Sequence, residues 1–340
     1  MDSPSLPPLG TPARLAVGIV SAGRVGVALG VALERVGHVV GAATARSEAS
    51  RDRLARHLPG ARIASPAEVA RSSELIVLAV PDSVLSDVIR ELVDSRAVHS
   101  GHIVVHTAGA FGADVLRPIH KLGAVVAAIH PAMTFAGTPD DAEHFDGCGW
   151  GVTAPDEIGQ AVGESLVLET GGRPVRIEEA QRPLYHAALA HGSNHLVTLI
   201  ADALLALEAV IGLPSVEGAP GPDAHGAGSE LFSRRGPSDR PLESQEESLD
   251  PDALASRLLG PLVRVSLENA LAAGGAFLTG PVMRGDVGTV RRHLDVLGDA
   301  DAGIAESYRA MALRTARKRR SGREMISAIE NNRPGEQNEH

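Results

Sequence analysis

VGIVSAGRVGVALG, Val17 to Gly30, is the stretch whose reading decides the fold. Its apolar first half reads as a strand, Ser21-Ala22-Gly23-Arg24-Val25-Gly26 as a tight turn, and the segment from Val25 as a helix with apolar side chains at helical spacing. The pattern is a dinucleotide-binding fingerprint with serine in place of the first glycine. Gly23 lets the backbone approach a pyrophosphate, and Gly26 lets the helix pack closely on the strand. The helix N-terminus then presents free N–H groups and a partial positive charge to phosphates.

Working outward, apolar runs alternate with helical patterns. Val39 to Thr44, Leu75 to Val80, Ile103 to His106 and Ala124 to Ile129 read as strands. Val25 to Val36, Ala67 to Ser72 and Val84 to Val93 read as helices. Gly149 to Thr153 and Pro174 to Ile177 add outer strands around a helix at Ile158 to Leu168. This rhythm predicts an α/β domain, a Rossmann doubly wound parallel sheet, followed from Pro183 by an all-helical C-terminal domain. The expected division is a disordered lead-in over 1–12, the dinucleotide domain over 13–180, the helical domain over 181–316 and a flexible tail over 317–340. Within the helical domain, 214–251 is dense in Pro, Gly, Ser, Asp and Glu and reads as a disordered insertion.

The end of the second strand indicates which nicotinamide cofactor is used. NAD sites place a carboxylate about 20 residues after the turn, to bond the ribose 2′-OH. Here Ala43-Thr44-Ala45-Arg46-Ser47 carries none before Glu48. Arg46 and Ser47 suit a 2′-phosphate, Arg46 through a charge-assisted contact. The expected cofactor is therefore NADP, held by Ser21, Ala22, Gly23, Arg24, Val25, Gly26, Arg46 and Ser47. Pro81 and His106, at the ends of later strands, join them.

Ligands of doubly wound sheets lie beyond the carboxyl ends of the strands. Two strands end in histidine, His106 and His130, each open to a ligand-facing or a loop-tying role. On the helix from Pro183, His191, Asn194, His195, Thr198 and Asp202 fall at offsets 0, 3, 4, 7 and 11 and share one face among Leu, Ala and Val. Unpaired buried polar groups are costly, so this stripe faces a cleft, a buried polar network or water. His191, Asn194 and His130 are the candidate catalytic residues, with Thr198 and Arg284 as candidate substrate contacts. Arg284 precedes Asp286, a predicted N-cap. No metal site is expected.

Composition limits the alternatives. The chain has 340 residues, 44% hydrophobic but 2% aromatic, so its cores are aliphatic. A net charge of −10 argues against a broad nucleic-acid surface. The one cysteine, Cys148, allows no internal disulfide and fits a reducing compartment. No signal peptide is visible at Met1 to Gly10. Ala187 to Leu213 is apolar but carries His191, Asn194, His195, Asp202 and Glu208, and is expected to be a helix buried in protein rather than a membrane span. A cytoplasmic protein with a small-molecule substrate and no membrane partner is the expectation.

VGIVSAGRVGVALG, LIVLAVPD (Leu75 to Asp82), HTAGAFGADVL (His106 to Leu116), IHPAMTF (Ile129 to Phe135), YHAALAHGSNHL (Tyr185 to Leu196) and LTGPVMRGDVGTVRRHL (Leu278 to Leu294) together resemble the bacterial Rossmann-like family with a C-terminal domain of unknown function 2520. The resemblance spans Leu15 to Arg314 apart from the insertion. It implies NADP binding and a helical domain similar to the C-terminal domain of the 6-phosphogluconate dehydrogenase superfamily. That superfamily includes the β-hydroxyacid dehydrogenases, which carry a catalytic Lys on the first long helix with Asn three and four residues later. Here His191 stands at the Lys, Asn194 matches the first Asn and His195 replaces the second. Long apolar helices in the superfamily often pack between subunits, which implies a homodimer. The expected activity is NADPH-dependent reduction of a small carbonyl compound such as a keto acid. The alternatives are imine reduction, as in pyrroline-5-carboxylate reductases, and a non-catalytic NADP-binding sensor.

Overall fold

The computed structural model describes residues 14–211, 251–319 and 323–332. The lead-in 1–12 lies outside them, as does all of the predicted insertion but its last residue. Two compact units divide inside one helix, at Ala190 and His191, ten residues beyond the boundary read from the sequence.

The first unit is built on β1 (Ala16–Val20), α1 (Arg24–Arg35), β2 (Val39–Ala43), α2 (Glu48–His57), β3 (Arg62–Ile63), α3 (Pro66–Arg71), β4 (Leu75–Leu78) and α4 (Asp82–Asp94). It continues with β5 (Ile103–His106), α5 (Arg117–His120), β6 (Val125–Pro131), β7 (Gly149–Thr153), α6 (Glu157–Glu169), β8 (Arg173–Arg176) and the start of α7 (Arg182–Ile211). The eight strands form one sheet in the order β3-β2-β1-β4-β5-β6-β7-β8. The order reverses beside β1, which leaves a crevice at the carboxyl ends of β1 and β4.

Continuous apolar runs make this sheet because both its faces are covered. Every residue of β4, Leu75 to Leu78, is fully buried, and each such aliphatic side chain contributes about 2 kcal/mol on leaving water. One face packs against α1, α2 and α6 through Val27, Leu29, Leu33, Leu54, Leu166 and Val167. The other packs against α3, α4 and α5 through Val69, Leu85, Ile89, Leu92 and Ile119. The sheet departs from the all-parallel expectation at β7, which runs antiparallel to β6. The β6–β7 connection holds a single 3₁₀ stretch, Pro139–Phe145, whose Ala142 and Phe145 join the α1 side of the core. An antiparallel neighbour needs no helical crossover.

The described residues of the second unit form helices joined by short turns: the rest of α7, α8 (Pro251–Ala273) with a 3₁₀ stretch after it (Gly274–Phe277), α9 (Pro281–Arg284), α10 (Val287–Ala300), α11 (Ala302–Arg319) and α12 (Arg323–Glu330). Val282, Val290, Leu294, Ala312, Ala316, Met325 and Ile329 form its core. Two expectations fail here. The tail beyond 317 is not uniformly loose: α12 docks through Met325, Ala328 and Ile329, and Arg317 reaches Glu330 at 3.3 Å. Nor is the apolar stretch of α7 buried. It is long and apolar enough to cross a membrane by length and composition, yet none of that window is buried among the described residues. Val210 is 81% exposed and Leu271 on α8 is 79% exposed among the described residues.

Candidate active site

β1 ends at Val20, and the chain turns through Ser21 at φ +88°, a left-handed conformation that serine adopts at a cost and glycine adopts freely. The turn is clamped to the end of β2, with Ala22 N–H donating to Thr44 O at 2.7 Å and Thr44 N–H to Ile19 O at 2.8 Å. A Cβ on Gly26 would sit 2.3 Å from the Ser21 carbonyl oxygen, so only glycine fits there. A Cβ on Gly23 would meet nothing closer than Ser21 Oγ at 3.4 Å, which leaves that side of the turn open. Gly23 caps α1 without a side-chain bond, and the first turn of α1 carries no acid. An uncapped N-terminus beside an open glycine is what a pyrophosphate requires, and these residues fit a dinucleotide.

Arginines surround the turn. Arg24 donates Nη1 to Phe135 O at 3.3 Å, in the loop after β6. Arg53, on α2, donates Nη1 to Ala22 O at 3.3 Å; burial, then Arg24, lower its pKa. Arg46 is exposed just beyond β2, with its carbonyl accepting from Arg51 Nη2 at 2.6 Å. Ser47 Oγ accepts from Ser50 N–H and caps α2. Pro81 is exposed at the carboxyl end of β4, where it precedes α4.

Farther along the strand ends lies a second cluster. His130, near the end of β6, has its Nδ1 2.9 Å from the Tyr185 hydroxyl oxygen, and that hydroxyl also lies within donating distance of the His130 carbonyl oxygen, 3.5 Å. Their rings meet edge to face, and His186 meets His130 in the same way. Gly109, just after β5, is packed so closely that a Cβ would lie 2.5 Å from His186 and 2.8 Å from His130 Nε2. Burial, followed by the charge of Arg182, pushes His130 down to about 4. Arg182 and Tyr185 occupy the first turn of α7, and the Arg182 side chain is fully buried. Burial raises the Tyr185 pKa, while Arg182 acts to lower it.

His106 corrects one expectation. Its ring is fully buried; Nε2–H donates to Gly112 O at 2.8 Å and Nδ1 accepts Ala108 N–H at 3.2 Å. Burial pushes its pKa down to about 4. Both ring nitrogens are spent on the loop after β5, so its side chain ties that loop and is not available to a cofactor.

Residues 1–131 match the Rossmann-like domain, and residues 148–315 match the domain of unknown function DUF2520. It is a Rossmann-like protein that carries a DUF2520 domain. No curated protein sequence matches the chain. Solved structures do resemble this DUF2520 protein in fold. One, assigned as an NADP oxidoreductase from Bacteroides fragilis, is 18% identical with a TM-score of 0.66, over 89% of this chain and 98% of its own. The imine reductase from Myxococcus stipitatus in complex with NADP+ is 16% identical with a TM-score of 0.58, over 93% and 99%. The reductive aminase from Aspergillus terreus, in complex with NADPH and ethyl-5-oxohexanoate, is also 16% identical with a TM-score of 0.58, over 94% and 100%.

In the helical unit of the DUF2520 protein, His191, His195 and Thr198 line a cavity of about 490 Å³ with Leu196, Ser307 and Met311. His191 Nδ1 and His195 Nδ1 are 2.7 Å apart, so one of them carries the shared proton. Thr198 Oγ1 donates to Asn194 O on its own helix. Arg284 is exposed ahead of Asp286, whose Oδ1 caps α10 by accepting Thr289 N–H at 3.0 Å. The sequence reading missed Tyr185, Arg182, His186 and Gly109. A signal was present in a chain with only two tyrosines: one of them opens an apolar helix, beside a histidine and three residues after an arginine.

Proposed function

We propose that the protein is an NADP-dependent reductase of a small carbonyl or imine compound. The observation that carries this reading is the His130–Tyr185 pair at the carboxyl end of β6, in the same unit as the glycine turn at the end of β1. NADPH, when bound, supplies the hydride. Ser21 to Gly26 would hold its pyrophosphate, and Arg46 with Ser47 its 2′-phosphate. The Nε2–H of His130 donates to the heteroatom that gains negative charge as the hydride arrives. His191, Asn194 and Thr198 on α7, and Arg284, remain the proposed substrate-orienting set. Of these, His191 and Thr198 line the cavity, with His195 and Ser307 among mostly apolar groups, which suits a small molecule with few polar atoms.

A keto acid is the leading substrate class. An imine is favoured by one observation: His130, held near 4, is neutral at physiological pH, and reducing a pre-protonated C=N bond demands no strong acid. The resemblance in fold to an imine reductase and a reductive aminase supports the same variant. The exposed apolar faces of α7 and α8 support a homodimer in which a second copy covers them, and the free thiol of Cys148 suits the cytoplasm. The test is NADPH consumption against a panel of keto acids and cyclic imines, with oligomeric state read by light scattering. No turnover of any member of the panel by a protein that binds NADPH tightly would replace the reductase with a sensor.

A further inference from the structure

Arg182 is a fully buried cation. Its Nε donates to Thr153 Oγ1 at 2.7 Å, and its Nη2 to Ala128 O at 2.9 Å and Gly151 O at 3.0 Å. All three acceptors are neutral, and Nη1 has no hydrogen-bond partner among the described residues. Glu179, three residues earlier, acts on it electrostatically, but Glu179 Oε2 already accepts Asp114 N–H at 3.2 Å. A buried charge without a bonded counter-ion is expensive, and an isosteric neutral residue would avoid that cost. The Arg182 guanidinium carbon lies 5.6 Å from the centre of the Tyr185 ring, and the Tyr185 hydroxyl is bonded to His130.

The surroundings of His130 exclude a simple imidazolium donor. The charge of Arg182 and the nearby rings of His186 and His106 all oppose protonation of His130. With the Tyr185 hydroxyl, 2.9 Å away, donating to Nδ1, the ring proton sits on Nε2. That proton can leave only if Nδ1 receives another at the same time.

We infer that Tyr185 and His130 form a two-step proton relay to the reacting atom, and that Arg182 is a positioning residue whose charge stabilises the tyrosinate the relay leaves behind. The inference rests on the reductase reading. As the carbon of a C=O bond or of an unprotonated C=N bond gains hydride, the π electron pair moves to the heteroatom, which takes the Nε2 proton of His130. Nδ1 takes the proton of Tyr185, so His130 ends as the other neutral tautomer and Tyr185 as an anion facing Arg182. Water returns one proton to the pair after product leaves. The substrate gains one hydride and one proton. Tyr185 faces His130, Arg182 and Cys148; His186 and His106 act in turn on His130, and Glu179 acts on Arg182.

Tyr308 is the other tyrosine of the chain, so a Tyr308→Phe background isolates the phenolate absorbance of Tyr185. In that background Arg182→Met raises the Tyr185 titration midpoint by at least one pH unit, and Arg182→Lys raises it less. An unmoved midpoint overturns the role of Arg182. Should Arg182→Met fail to fold, ¹⁵N NMR of the wild type decides: His130, assigned by its loss in His130→Gln, carries its proton on Nε2, and an Nδ1–H tautomer overturns the relay. Tyr185→Phe lowers kcat about 10²-fold with KM within threefold; kcat within threefold of wild type overturns the relay. The two spectroscopic readings need no substrate. Both as expected, with no turnover of any carbonyl or imine, overturn the reduction and retain the pair.

Discussion

Arg53 reaches across from α2 to the carbonyl oxygen of Ala22 at 3.3 Å, so the helix after β2 and the turn after β1 share one cation. With Arg46 exposed beside it and no carboxylate between Val39 and Ser47, the charge there favours a 2′-phosphate over a bare ribose. NADPH is expected to bind at least tenfold more tightly than NADH, about 1.4 kcal/mol. Arg46→Ala removes most of that preference, and Arg53→Ala weakens both cofactors by loosening the turn. Calorimetric titration of both cofactors checks this; equal affinities in the wild type contradict it.

Gly23 and Gly26 separate binding from folding. Gly26→Ala drives a Cβ into the Ser21 carbonyl at 2.3 Å, and costs the fold about 2 kcal/mol or more as the turn shifts. Gly23→Ala meets only a serine oxygen at 3.4 Å, so its melting temperature stays within a few degrees. Its NADPH affinity falls at least tenfold, because the methyl group occupies the path of the pyrophosphate. Unchanged affinity in Gly23→Ala would mean that the phosphates lie elsewhere.

His106 and His130 make stability depend on pH. Each is held near 4 in the folded chain, against about 6.5 when unfolded. Between those values the unfolded chain binds the extra protons, so stability is present above about 6.5 and falls as pH drops toward 4. Each histidine contributes a slope of about 1.4 kcal/mol per pH unit within the window. His106→Gln, which keeps a donor for Gly112 O, should flatten the curve by about one proton. Denaturant melts from pH 7 to pH 4 measure it, and an unchanged slope would show that His106 already charges in the fold.

Two histidines compete for the proton-donor role. His130→Ala is expected to lower kcat by roughly 10²–10⁴, the usual worth of a general acid, with NADPH affinity hardly changed. His191→Ala and Asn194→Ala act through orientation and lower kcat/KM by about tenfold. Steady-state kinetics on a confirmed substrate decide between them. A large kcat loss in His191→Ala with none in His130→Ala would move the acid to α7.

The sheet was legible because β1, β4, β5 and β6 are continuous aliphatic runs between turn signals, and the Gly23 and Gly26 spacing announced the turn. α2 and β3 escaped because they bury little: Leu54 is the one buried residue of α2, and both residues of β3 are exposed. α12 was hidden by the basic and polar residues flanking Met325 and Ile329. The His130–Tyr185 contact joins positions 55 residues apart, and no local pattern marks such a pair. His106 shows the opposite limit. Its place at a strand end was visible, but its two hydrogen bonds depend on how the following loop folds back.

Trp150 is the single tryptophan of the chain. It lies fully buried on β7, with its ring centre 4.9 Å from that of Phe145. Tryptophan emission, excited selectively over the tyrosines Tyr185 and Tyr308, is therefore a local thermometer for one side of the sheet, silent about α8 to α12. Circular dichroism at helical wavelengths averages over every helix. Recording both during one heating ramp sets the first unit's own signal against the average over both units, and a gap between the two midpoints shows that they do not melt as one cooperative body.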